Sequence, residues 1–222
     1  MIGKLRRRIA PLARDTRGLA MLEFVIVLPV LLMLTLTGAE LTNYVIVKMR
    51  LSQVALHLAD NAARIGSGSL LQAKKITEAD VNDLLTGAGM QAGNMNLYAN
   101  GRVIISSLEP MPAPNTNKTF RIRWQRCRGA RTGHQSSYGV VGQSSGLNMA
   151  GMGMANRLAT APDNGATMFV EVYYEYQPLV RSSLAPSATI IEIASMMVRD
   201  RRDLSSGEEG VQQVAGVSKS SC

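Results

Sequence analysis

Residues 19–39 read LAMLEFVIVLPVLLMLTLTGA, an apolar run of bilayer length with a single carboxylate, Glu23, near its start. About 18 apolar residues with few charges already reach the length of a membrane span, whereas core helices of soluble domains are usually broken by polar positions sooner. The flank before the run agrees. Residues 1–18 hold Lys4, Arg6, Arg7, Arg8, Arg14 and Arg17 against one acid, Asp15, and so carry most of the formal net charge of +8. Positive charge packed before an apolar span is retained in the cytoplasm, which predicts an inside N-terminus and an extracytoplasmic body. Secretory leaders share the basic flank, but their apolar core is about 7–15 residues long and closes on small residues. The longer run here predicts a span, over residues 19–41, that stays in the mature protein.

Glu23 needs an explanation, because an ionised side chain inside a membrane segment costs at least about 2.5 kcal/mol and usually has a partner and a task. Chemistry offers one partner. A cut between Gly18 and Leu19 would create an α-amino group four residues before Glu23, one helical turn away, and the same amine on a neighbouring copy could neutralise the carboxylate. Pro29 has two readings that stand side by side. It is tolerated because neighbours or water satisfy the carbonyl it frees at Val25, or it marks a local melt that helps the helix pack against other helices.

Beyond Ala39 the pattern turns amphipathic: Val47, Leu51, Val54, Ala55, Leu58, Ala62 and Ile65 recur at three- and four-residue steps, with Asp60 and Arg64 a turn apart as a surface pair. Gly66-Ser67-Gly68 stops the pattern, giving a long helix over residues 19–66, about 70 Å at 1.5 Å per residue. Its stripe is expected to pack chiefly on the chain's own domain, with packing against other helices in addition.

Residues 67–222 are long enough for one domain with its own core. Thr77-Glu78-Ala79-Asp80 resembles a capping box that opens a short helix ending near Gly87. Asn100-Gly101, between Asn96-Leu97-Tyr98 and Val103-Ile104-Ile105, is a hairpin signal. Phe120, Ile122 and Trp124 alternate with Arg121 and Arg123 in one strand. Met168, Val170, Val172, Tyr174 and Tyr176 alternate with Glu171, Tyr173 and Glu175 in another, and Thr189 to Val198 reads as a third. Helix first and strands later predicts an α+β fold with a mainly antiparallel sheet and a flexible C-terminal tail.

Chemistry-bearing motifs are sparse. Gly151-Met152-Gly153-Met154-Ala155-Asn156 lacks the third glycine, the preceding strand and the downstream acid of a dinucleotide fingerprint, so Tyr138 to Ala161 reads as a mobile Gly-, Ser- and Met-rich loop. Arg121, Arg123, Arg126, Arg128 and Arg131 surround Trp124, with Arg126 expected on the opposite side of the strand from Arg121 and Arg123. A solvated sheet face accounts for them better than nucleic acid, uptake of DNA from outside the cell being the exception. His57 and His134 stand apart, and Asp200, Asp203, Glu208 and Glu209 alternate with basic residues in a charged tail, so neither catalysis, a metal nor a cofactor is expected. Cys127 and Cys222 form an even count in a domain assigned to an oxidising compartment. A disulfide between them, closing a long loop and tying the tail to the sheet, is the expectation, with two free thiols or a bridge to another chain as the rival readings.

The Gly18–Leu19 junction with Glu23 resembles the processing site of type IV prepilins. The form Gly-x-x-x-x-Glu followed by Phe24 resembles the tight-adherence (Tad) branch. Val27-Leu28-Pro29, Gly38-Ala39-Glu40-Leu41, Leu51, Ala55, Ala59-Asp60 and Ala62-Ala63-Arg64 resemble the TadE-like pilus assembly proteins over residues 14–66. Downstream the likeness thins to Trp124 through Cys127 and Val170 through Leu179. Where the family usually continues Glu-Leu-Gly-Arg this chain has Glu40-Leu41-Thr42-Asn43, so no role is carried onto Thr42 or Asn43. The resemblance implies a pilin-like minor pilin or pseudopilin of a Tad-type (type IVc) pilus used in adhesion. It implies a leader over residues 1–18 removed by a prepilin peptidase between Gly18 and Leu19, and Glu23, Phe24 and Pro29 serving assembly. The implied partners are the inner membrane, the peptidase, other minor pilins, the major pilin and the assembly platform. The alternative is an uncleaved bitopic inner-membrane protein with a periplasmic scaffold or ligand-binding domain.

Overall fold

A computed structural model of the chain describes residues 18–68, 72–180, 186, 188–205 and 210–222. Most of the basic leader, residues 1–17, and Glu208 and Glu209 lie outside the described residues. The fold is α+β: a long N-terminal apolar helix, α1 (Leu19–Arg64), is followed by a mostly antiparallel sheet domain. The chain divides into two compact units, Met1–Asn43 with Pro178–Pro186, and Tyr44–Gln177 with Ser187–Cys222.

In the second unit, helix α2 (Glu78–Ala92) and the single turn α3 (Leu97–Asn100) lead into strands β1 (Gly101–Pro110) and β2 (Phe120–Arg128). A small hairpin, β3 (Met152–Met154) and β4 (Arg157–Ala159), precedes the long strands β5 (Thr167–Glu175) and β6 (Thr189–Met197). The four long strands are ordered β2-β1-β5-β6, antiparallel throughout. One sheet face packs on the α1 stripe, where Leu51, Val54, Ala55, Leu58, Ala59 and Ala62 are buried, and on Val81, Leu85 and Ala88 of α2. The other face carries a second core of Leu108, Phe120, Ile122, Met152 and Phe169, which Tyr138, Val141 and Met149 close.

Several local expectations are corrected. The capping box forms as expected, the Thr77 hydroxyl accepting from the Asp80 N–H at 3.2 Å and the Asp80 carboxylate from the Thr77 N–H at 2.9 Å. The helix it opens does not stop near Gly87 but continues to Ala92. Gly89 is retained inside it because a Cβ there would stand 2.6 Å from the Tyr98 ring. Asn100-Gly101 is not a hairpin turn: Asn100 ends α3 and Gly101 opens β1. A Cβ on Gly101 would lie 2.3 Å from the Tyr173 carbonyl oxygen, so this glycine serves a close strand approach.

Strand β2 does not keep one alternation. Ser107 pairs with Trp124 and Leu108 with Ile122, a β-bulge that leaves Arg123 as the extra residue. Because strand side chains alternate with period two, that insertion reverses the faces. Phe120 and Ile122 enter the second core, while Trp124 enters the helix-side core. Arg126, paired with Ile105, therefore shares the face of Arg121, paired with Glu109, rather than opposing it. The stretch expected as a mobile loop holds the β3–β4 hairpin turned at Ala155-Asn156, with Met152 fully buried.

The described end of the C-terminal tail is not loose. Gln212 exchanges backbone hydrogen bonds with Ile76 and Glu78 at the start of α2, and Asn82 donates to the Ser218 carbonyl at 2.8 Å. The Cys127 N–H donates to the Ser220 carbonyl at 2.9 Å, at the edge of β2. Unpaired backbone groups at a helix start and a sheet edge give such a segment partners that a solvated tail would lack.

Candidate functional site: the uncovered N-terminal helix

The first unit is built on α1 from Leu19 to Asn43. The Leu22 N–H donates to the Gly18 carbonyl at 3.1 Å, so Gly18 stands just outside the first turn. A Cβ on Gly18 would meet nothing within 4 Å. Glu23, one turn in, is exposed, as are Phe24 and Pro29. Leu22, Phe24, Val25, Ile26, Val30, Leu31, Leu34 and Leu36 all expose about half or more of their surface. None of the most apolar window is buried. A helical stretch that is apolar on every side and, among the described residues, covered by none of its own chain has the surface of a membrane span rather than of a core helix. Its hydroxyls fit that solvent: Thr35 donates to the Leu31 carbonyl at 2.9 Å and Thr42 to the Gly38 carbonyl at 2.8 Å. Polar groups in lipid must be satisfied within the segment, and these are. The helix runs through Pro29 without a break, so the structure contains no local melt there.

One residue in this unit departs from the pattern. Glu40 is 3% exposed, and its carboxylate accepts the Val180 N–H at 3.0 Å. The sequence offered it only as part of the Gly38-Ala39-Glu40-Leu41 likeness. Its pairing partner lies 140 positions away, beyond the reach of any local pattern.

The polar side chains of the second unit are mostly held by one another. Arg126, 2% exposed, is not on a solvated face: its Nε donates to the Glu78 carboxylate at 3.0 and 3.1 Å, Nη2 donates to the same group, and the guanidinium lies 5.7 Å from the Trp124 ring centre. Arg128 donates to the Thr86 hydroxyl at 2.8 Å, and Arg131 pairs with Glu175 at 2.7 Å. Glu171, read as an outward residue of β5, is 1% exposed; it meets His134 Nε2 at 2.9 Å and accepts from the Ser136 hydroxyl at 2.7 Å. His57 is exposed on α1. Among the described residues no three His, Cys, Asp or Glu side chains converge as a metal set. Cys127 and Cys222 are joined by a disulfide with Cα atoms 4.9 Å apart, and Arg102 donates to the Cys222 carbonyl at 2.9 Å.

Burial raises the Glu109 carboxyl to about 7, against the opposing pull of Arg123, Arg121, the Ser107 hydroxyl and Arg202. Burial also lowers the Arg202 guanidinium to about 10, although Asp200 and Glu109 favour its charged form. Both lie in the second unit and belong to its packing.

The family model described as TadE-like protein matches residues 18–67. That is a TadE-like segment. It takes in Gly18, the whole of α1 and the stop after it, under a quarter of the chain. Comparison with curated proteins and with solved structures gave no match. The TadE-like segment suggests a Tad pilus-associated protein, and its one apolar helix suggests a single-pass membrane protein.

Proposed function

We infer that this chain is a structural subunit, a minor pilin or pseudopilin that helps to prime, assemble or cap a Tad-type pilus used in surface adhesion. Its role is mechanical rather than catalytic. The observation that carries this reading is the first part of α1: apolar and exposed on nearly every side, with one carboxylate a turn after the Gly18–Leu19 peptide. The basic leader holds the N-terminus in the cytoplasm and residues 67–222 lie in the periplasm, where thiols oxidise. A prepilin peptidase removes the leader after Gly18, and the Glu23 carboxylate meets the freed N-terminal amine of an adjoining subunit. In the low-dielectric bilayer an unpaired charge is expensive, so this pairing sets the register of the subunit against its neighbours.

Gly18→Val tests the reading. Because space is open around Gly18, a valine there leaves the fold undisturbed while denying the peptidase its small residue. N-terminal sequencing of membrane-extracted protein should find Leu19 first in the wild type and an intact leader in the variant, with pilus assembly lost. Mature protein beginning at Leu19 from the variant would sink the peptidase assignment, and an uncleaved wild type would return the chain to a bitopic membrane scaffold.

A further inference from the structure

We propose that Leu179, in the connection between β5 and β6, inserts into the boundary of the phospholipid bilayer and is tethered there by Glu40, an inference that rests on the membrane-spanning reading of α1. No charged residue occurs between Glu23 and Glu40, so Glu40 marks the far end of the apolar run. From Leu19, where the apolar run begins, to Glu40 is about 32 Å of helix, close to the roughly 30 Å hydrocarbon thickness of a bilayer, with Glu23 inside it. Glu40 therefore stands at the lipid boundary. Its carboxylate takes the Val180 N–H at 3.0 Å, which fixes that peptide at the same depth.

Leu179 is the residue immediately before, and it is 66% exposed. Leu36 and Leu41, one turn before Glu40 and next to it on α1, are likewise 49% and 50% exposed. An apolar side chain at this level gains by sinking about 5–10 Å into the headgroup and acyl boundary. At this level Glu40 satisfies the Val180 donor and the Thr42 hydroxyl is bonded to the Gly38 carbonyl, so neither polar group opposes the approach. The membrane contact of this protein thus has two parts, the span and a second point of chain far from it in sequence.

Tryptophan quenching in the full chain reads this directly, because Trp124 is the sole native tryptophan and is 1% exposed. Leu179→Trp and Val30→Trp would be reconstituted separately into phosphatidylcholine vesicles brominated either near the headgroup or near the acyl terminus. Leu179→Trp should lose emission chiefly to the headgroup-proximal bromines, and Val30→Trp chiefly to the deeper ones. Quenching of Val30→Trp with none of Leu179→Trp above wild type would overturn the proposal and leave the span intact. Absence of quenching in both would overturn the span and the proposal together. Adding Glu40→Ala should weaken the Leu179→Trp signal, whereas Glu40→Gln, which keeps an acceptor oxygen, should preserve it. A signal unchanged by Glu40→Ala would overturn the tether.

Discussion

From Leu19 to Asn43, α1 leaves its leucines, valines and Phe24 uncovered, whereas from Tyr44 to Arg64 it buries Leu51, Val54, Leu58 and four alanines against the unit's own sheet and α2. Helical propensity is met in both halves. What differs is the angular spread of apolar residues, all-round in the first and a stripe in the second. The first half is stable only in company, lipid or other helices, and the second is complete within its own chain. Substitutions in the two halves should therefore register in different measurements.

The largest expected effect is at Glu23. Removing a carboxylate from a span makes simple insertion easier, so Glu23→Leu should keep membrane insertion, protein level and cleavage after Gly18. If the carboxylate meets an adjoining subunit, the same change abolishes surface piliation and co-purification with the major pilin, and Glu23→Gln impairs both. Normal piliation in both variants would strip Glu23 of a registering role and make the two halves of α1 an anchor and a domain, nothing more.

In the covered half the readout is unfolding. Glu78→Ala strands the buried Arg126 guanidinium and should cost about 3–5 kcal/mol. Leu58→Ala leaves a cavity between helix and sheet and should cost about 2–5 kcal/mol. Leu31→Ala, on the bare half, should leave the denaturant midpoint of the second unit unmoved in detergent. A comparable shift from Leu31→Ala would show that the bare surface is covered by its own chain after all.

Legibility followed the range of the interaction. The apolar run, the switch to a stripe, the stop after Arg64 and the Thr77 cap are written within a few turns of sequence, and they were readable. The β2 faces were not, because nothing in Phe120 to Arg128 announces that the bulge opposite Ser107 and Leu108 will shift Trp124 and Arg126 to the helix side. Glu171 was misplaced for a related reason. Its alternation marks a face correctly, but that face is covered by His134, Ser136 and Ser137, which arrive from the connection after β2, far from β5 in sequence. Asn100-Gly101 carried the right residue types for a turn and used them instead for close packing. At the candidate site, the Gly18, Glu23 and Pro29 pattern was local, whereas Glu40 acquires its partner only when the chain returns at Val180.

The second unit also differs from the first in responding to pH through a packed carboxyl. Glu109 is 4% exposed and shares its sheet face with Arg121 and the Ser107 hydroxyl, and burial holds its carboxyl at about 7 against an ordinary 4.5. In the folded state it therefore retains a proton that the unfolded chain has released, throughout the interval between those values. Stability contributed by the neutral carboxyl is complete below the unfolded value and is lost as pH rises through the folded one, so the second unit should weaken from about pH 4.5 to about pH 7. The shift corresponds to roughly 3 kcal/mol, the opposing pull of Arg123, Arg121 and Arg202 being already contained in it. Glu109→Gln keeps a neutral side chain of the same size at every pH. Denaturant titrations of the full chain at pH 5 and pH 8 should show a falling midpoint in the wild type and a flatter one in the variant. The bilayer-facing half, probed by Val30→Trp quenching, should not change between those two conditions. Equal pH slopes in wild type and Glu109→Gln would mean that Arg121, Arg123 and Arg202 keep the carboxylate ionised in place, making this corner an ion cluster instead of a protonated core.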